Sequence, residues 1–257
     1  MKQYIITIVL LSFISCTSKI DFAVTTPTGP VVTTDLLISE LATAINTDPA
    51  APSPITSGRN HYIEIYNGTG TTVDLSNYAI GYQACTDLST LSAWSFPAGN
   101  FLQLTGTLSS GNCYVIASPQ VNTTSVPNNI TWGTSSTTAA NASVPLQLSG
   151  NSAIALLKKS ASGTIVIAGT NYTIIDVFGS PLVARETSTG TTSARNNFIW
   201  TVAGETDTRN RTFWRKKTVL SPTTDWSTAK GTSTTNSQWQ VSPDRAWDYT
   251  NVGLPTP

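Results

Sequence analysis

The sequence predicts an all-β fold, a sandwich of short strands, and three observations carry that prediction. Short runs of β-branched and aromatic residues recur along the chain, separated by segments of turn composition such as NGTGTT, SSGN and SASG. No stretch of twelve or more residues holds a helical period with good helix formers. Within the runs, side chains alternate as on a strand: in HYIEIYN, Ile63 and Ile65 share one side while Tyr62, Glu64 and Tyr66 share the other. Seven or more such strands between such turns indicate a sandwich.

Taken in order, the expected strands are DLLISEL (35–41), HYIEIYN (61–67), VDLSNYAIGY (73–82), FLQLTG (101–106), CYVIA (113–117), VPLQLSG (144–150), SAIALLKK (152–159), GTIVIAG (163–169) and YTIIDVFG (172–179). Tyr66 is followed by Asn67-Gly68, residues that tolerate positive φ and end the strand. Asp74 opens a tight Val-Asp-Leu-Ser turn in which its carboxylate can accept from backbone N–H groups. SAIALLKK is apolar on both faces up to Leu157 and then turns to Lys158-Lys159, which suits a central strand emerging into solvent.

Ahead of the first strand, MKQYIITIVLLSFISC has a charged start, an apolar run from Tyr4 to Leu11 and a small residue directly before Cys16, the order of an export signal. The run is short of the roughly 20 residues that a membrane-spanning helix needs. It resembles a bacterial lipoprotein signal, with Phe13 where Leu or Val is usual. That resemblance implies removal of residues 1–15 and acylation of Cys16, with an ordinary secretory signal and a signal anchor as alternatives. Two or three acyl chains at roughly 0.8 kcal/mol per buried CH2 make attachment essentially permanent. The expected place is then the bacterial cell envelope, as an outer membrane lipoprotein on either the surface or the periplasmic face. Residues 16–34, rich in Thr and Pro, read as a tether that gives reach.

Loss of residues 1–15 removes Lys2 alone from the fourteen Lys and Arg, leaving thirteen against fourteen Asp and Glu. Such a balance supplies no broad positive field for nucleic acid. Cys85 and Cys113 are an even pair in an exported domain and are expected to form a disulfide closing a loop of about 28 residues. Two unpaired thiols are the alternative. A single histidine, His61, is too little company for a metal site.

The runs together resemble the lamin tail domain family, an immunoglobulin-like β-sandwich found in many exported bacterial proteins. The family's opening Ile-Ser-Glu matches Ile38-Ser39-Glu40, and its aromatic, Ile-Glu-Leu, aromatic, Asn signature matches Tyr62 to Asn67, with Ile65 in place of Leu. Its Val-Asp-Leu-Ser and following aromatic match Val73 to Ser76 and Tyr78, and its Gly-Asp-Ser resembles Gly150-Asn151-Ser152. The resemblance covers 35–220 in pieces and implies that Glu40, Glu64, Asn67 and Asp74 serve the fold. Residues 221–257 form a Trp-rich extension ending in the family-like Gly253-Leu254-Pro255-Thr256-Pro257. With Trp200, Trp214, Trp226, Trp239 and Trp247 in the last quarter of the chain, this segment is expected to return and pack on the sandwich.

Candidate sites are few. A hydrolytic pair made of Glu40 and Glu64 would need both in one open cleft, whereas the family resemblance implies a structural role for them. His61 lacks a Gly-x-Ser-x-Gly partner and reads as a surface residue at a strand entry. Asp74 and Asp176 lie outside any D-x-[DN]-x-[DN]-G run, so they read as structural, a lone structural calcium being the alternative. The cluster Arg209, Arg211, Phe213, Trp214, Arg215, Lys216 and Lys217 is a candidate binding face for a protein or glycan, or else a strand of the fold with Arg215 in an ion pair at the core edge. The polar stretches 43–60 and 118–143 are expected surface loops.

These features predict a non-catalytic, envelope-anchored binding or structural lipoprotein, touching the membrane through acylated Cys16 and a protein or glycan by its surface. No cofactor, small-molecule substrate or nucleic acid is expected. The alternatives are an accessory component of extracellular polysaccharide or DNA processing, with a groove floored by tryptophans, and a cryptic hydrolase.

Overall fold

A computed structural model describes residues 32–43, 60–85, 91–97, 99–133, 148, 152–187, 198–206, 208–244 and 246–254. The signal, Cys16, most of the tether, the expected strand 144–150 apart from Leu148, and residues 44–59 and 134–147 lie outside them. In chain order the strands are β1 (Leu37–Ala42), β2 (Tyr62–Tyr66), β3 (Val73–Asp74), β4 (Tyr78–Ala84), β5 (Phe101–Gln103), β6 (Thr107–Leu108), β7 (Cys113–Ala117) and β8 (Ile130–Thr131). They continue as β9 (Ser152–Lys159), β10 (Ile165–Ile167), β11 (Thr170–Phe178), β12 (Glu186–Thr187), β13 (Phe198–Ile199), β14 (Thr212–Arg215) and β15 (Trp239–Val241). One five-residue helix, α1 (Trp226–Lys230), lies between the last two strands, with Asp225 at its N-cap accepting from the Thr228 amide.

Two sheets face each other, in the orders β15-β14-β1-β2-β7-β8 and β10-β11-β9-β4-β5. All pairings are antiparallel except β7 with β8. The fold is thus the all-β sandwich expected, with β9 central in its sheet. Two expected strands are broken. VDLSNYAIGY divides into β3, a 3-10 turn at Leu75–Asn77 and β4, because the Asp74 carboxylate takes the Ser76 amide at 2.9 Å and bends the chain. FLQLTG stops at Gln103, ahead of Gly106 with φ +86°, and Thr107–Leu108 pair instead with β3.

Between the sheets lie Ile38, Leu41, Ile63, Ile65, Ile80, Ile154 and Leu156, all fully buried. One end of this core is aromatic. Phe178 sits with its ring centroid 4.9 Å from Phe213, 4.9 Å from Trp226 and 5.1 Å from Trp239, and Trp200 meets Trp226 edge-on at 5.9 Å. Tilted and T-shaped contacts of this kind satisfy the ring quadrupoles. Gly179 (φ +77°) is required there, because a Cβ on it would come within 2.6 Å of the Trp200 ring. The C-terminal extension therefore packs into the sandwich as expected, and goes further: it supplies the edge strand β15.

Asn67 organises the turn after β2. Fully buried, it donates from Nδ2 to the Thr71 and Leu108 carbonyls at 2.8 and 2.7 Å and accepts at Oδ1 from the amide and hydroxyl of Thr69. Asn67→Ala orphans these groups and is expected to cost about 2–3 kcal/mol. Urea unfolding reads this directly, and an unchanged midpoint would remove Asn67 from this role.

Candidate functional site

Alternation in β2 sends Ile63 and Ile65 into the core and Tyr62 and Glu64 to the outer face of the six-stranded sheet. There Glu40 stands opposite Glu64, in a cross-strand row that runs Trp214, Glu40, Glu64, Val115. Side chains so placed have Cβ atoms about 5 Å apart. Both carboxylates are fully buried, because residues 246–254 cross this face. Gly253 donates its amide to Glu64 Oε2 at 2.7 Å, and Ser39 donates its hydroxyl to Oε1 at 2.6 Å. The Tyr62 hydroxyl donates to Glu40 Oε1. Glu40 Oε2 and the Trp214 indole N–H are buried without a well-formed hydrogen bond, although the indole draws the carboxyl slightly down.

Burial pushes the Glu40 carboxyl up to about 8 against the pull of the Tyr62 hydrogen bond, and the negative charges of Glu64 and Asp248 add to it. Burial also raises Glu64, opposed by its donors Ser39, Gly253 and Cys113. With more donors, Glu64 is the better site for the negative charge and Glu40 for the proton. The pair has the proximity and shifted acidity of a hydrolytic dyad but no cleft. Its oxygens hold strand and tail together instead.

A third buried carboxylate binds the sheets to each other. Asp176, at a register shift in β11, accepts from the Ile38 amide of β1 at 2.8 Å and the Thr223 amide at 2.9 Å, and pairs with Arg215 of β14. Arg215 also donates to Gln238 Oε1 at 2.9 Å and lies 4.4 Å over the Trp239 ring. This is the core-edge ion pair expected of Arg215, and its partner is Asp176, read from the sequence as structural but not as the partner of Arg215.

Several expectations are corrected. Cys85 and Cys113 are free, buried thiols. Cys85 follows β4 in one sheet and belongs to the core, whereas Cys113 opens β7 on the outer face of the other, so no bond joins them. The Cys113 S–H has the Leu254 carbonyl 3.3 Å away and the Glu64 carboxylate as rival acceptors, and burial raises both thiols. His61 is not at the surface but buried, its Nδ1 accepting from the Leu148 amide at 3.1 Å. The basic aromatic segment offers no continuous face: Arg209, Arg211, Phe213 and Arg215 are buried, Trp214 and Lys216 are half-buried, and Lys217 alone of the seven is exposed. Arg211 instead pairs with Glu205 at 2.9 Å. The tryptophan groove is not formed either, since Trp200, Trp226 and Trp239 are core residues at 0–1 % exposure.

What the fold does bring together are the described residues that flank the two long polar stretches. The chain leaves β1 at Thr43 and returns at Asn60, ahead of β2, while Ser118 leaves β7 beside His61, its amide donating to the His61 carbonyl at 2.9 Å. Asn60 Oδ1 accepts from the Asn122 amide at 2.8 Å, and Leu148 comes back onto His61. Thr43, Asn60, Ser118 and Leu148 thus gather at one end of the six-stranded sheet. The N-terminal segment enters at the other end, where Thr33 donates its amide to Gly68 and Thr34 to Leu220.

Compared with known proteins, the chain matches a family model described as Lamin Tail Domain over residues 32–173. No curated protein matches it. Among solved structures, a DUF4876 family protein from Bacteroides thetaiotaomicron is 11 % identical, with a TM-score of 0.43, the alignment covering 88 % of this chain and 72 % of that one. The family match ends inside β11.

Proposed function

The chain belongs to the lamin tail domain family, and from that premise we propose that it is a non-catalytic binding or structural module, held at the bacterial cell envelope by an acylated Cys16. The observation that carries this reading is the polarity of the sandwich. The tether side, at Thr33 and Thr34, and the polar stretches around Thr43, Asn60 and Ser118 lie at opposite ends of β1. Six residues of strand separate them by about 20 Å. A chain anchored through residues 16–34 then holds 43–60 and 118–143 away from the membrane, where polymers or other proteins can meet them.

Two further points support it. The carboxylates and the histidine that the sequence offers for catalysis are buried within the fold, Glu64 on a backbone amide and His61 against Leu148. The stretches themselves are nearly uncharged, so the partner they suit is a protein or glycan recognised by neutral hydrogen bonding rather than by charge.

The test compares wild type with Cys16→Ala in fractionated cells, with protease added to intact cells. Wild type is expected in the membrane fraction, with first cleavages inside the polar stretches 43–60 or 118–143, and Cys16→Ala in the soluble fraction with an unchanged melting temperature. A Cys16→Ala variant that still sediments with membranes overturns the anchoring. Cleavage only after the outer membrane is broken assigns the partners to the periplasm.

A further inference from the structure

We propose that residues 246–254 are a proton-controlled strap: closed over the outer face of the six-stranded sheet while Glu40 and Glu64 hold one proton between them, and lifted when that proton is lost. The proposal rests on the geometry of this face and is independent of how the chain is anchored.

The strap makes no strand pairing. It is held at one side by the Trp247 indole N–H on the Thr43 carbonyl at 2.8 Å and the Asp248 amide on Thr212 Oγ1 at 3.0 Å. At the other side it is held by the Gly253 amide on Glu64 and by Cys113 on the Leu254 carbonyl. Between these points Tyr249 meets Tyr62 edge-on at 6.1 Å, and Val252 fills a small apolar cluster with Ala42, Val115, Ala117, Val121 and Val126. A segment fixed by few bonds and a small apolar contact opens locally at far lower cost than the sheet beneath it.

Under the strap two carboxylates are direct cross-strand neighbours. Two like charges at that separation, shut away from water, cannot both ionise without driving water back in. The ionisable groups that bear on the pair are Tyr62 on β2, Cys113 on β7, and Asp248 and Tyr249 on the strap; β14 contributes the neutral Trp214 and Thr212. Asp248 adds repulsion of its own, and it rides on the strap. Opening wets the pair and relieves both.

The direction follows from proton uptake. In the closed state Glu40 stays protonated up to about pH 8, whereas with the strap lifted it returns towards an ordinary carboxyl of about 4.3. The closed state therefore binds more protons between these values, and rising pH favours the open one, by up to about tenfold per unit. What opening uncovers is an apolar groove floored by Ala42, Tyr62, Val115 and Ala117, beside two negative charges.

Amide hydrogen exchange on the full chain tests this, with each protection factor corrected for the intrinsic rate at its pH. Protection across Trp247–Leu254 is expected to fall by up to about tenfold per unit between pH 6 and 8 while that of Ile154–Leu157 in β9 stays constant. Glu40→Gln should flatten the profile. Trp247→Ala, which loosens the strap without touching the pair, should lower protection at every pH and keep the slope. A flat wild-type profile, a slope that survives in Glu40→Gln, or parallel loss in β9 overturns the proposal.

Discussion

Asp176→Ala is expected to destabilise the protein by about 3–5 kcal/mol, the cost of stranding a buried charge. Arg215 is almost fully buried and would keep its guanidinium without a counter-charge, and the Ile38 and Thr223 amides would lose their acceptor. The melting temperature should fall on the order of 10 °C for a chain of this size. Asp176→Asn, which keeps the shape and one acceptor oxygen, should cost less. Adding Arg215→Met to Asp176→Ala should recover part of the loss, since it removes the orphaned charge. The contrast is Lys158 with Asp35, 2.6 Å apart but with 41 % of the lysine side chain exposed. Solvent screening limits such a pair to less than about 1 kcal/mol. Urea unfolding with a double-mutant cycle measures these terms, and a loss below about 1 kcal/mol for Asp176→Ala would show that the bond between the sheets is not what holds them in register.

Trp239→Ala is expected to cost a similar 3–5 kcal/mol, from the cavity left by a large, fully buried ring. The ring also carries the Arg215 guanidinium at 4.4 Å and an edge-to-face contact with Phe178, so its loss also weakens the Asp176 pair. This experiment separates two roles for the C-terminal tryptophans. A tryptophan that floors a ligand groove can be removed with little change in stability and complete loss of binding. One that completes a core gives the reverse, and thermal unfolding of Trp239→Ala set against the half-buried Trp247→Ala, expected near 1–2 kcal/mol, decides between them. Equal, small losses from both would reopen the groove.

Much of the fold was legible because strand signals are local. Alternation in HYIEIYN, the apolar run of SAIALLKK and the turn residues at Asn67 and Asp74 each follow from nearest-neighbour chemistry, and each matches an observed element. Apart from the two strands broken by turns and the cysteine pair, the misreadings concern what covers a residue. Glu64, Tyr62 and Cys113 alternate outward and would face solvent in an isolated sheet; the strap, 141 to 189 positions further along the chain, buries them. Arg209, Arg211 and Arg215 look like a basic surface in sequence and are buried within the fold. An even pair of cysteines suggests a bond, and only the assignment of Cys85 and Cys113 to different sheets separates them.

The sequence by itself determined the class of fold, the strands β1, β2, β4, β5, β7 and β9 to β11 and the residues that turn the chain, because these depend on side-chain period and local hydrogen bonding, whereas β6, and β8 within the stretch read as a surface loop, carry no such signal. The tertiary structure alone decided that β14 and β15 complete the first sheet, that Asp176 and Arg215 meet, and that Glu40 and Glu64 share one closed space. Those outcomes depend on which distant segments lie side by side, and burial, which sets the cost of a charge and hence its partner, exists only once they do.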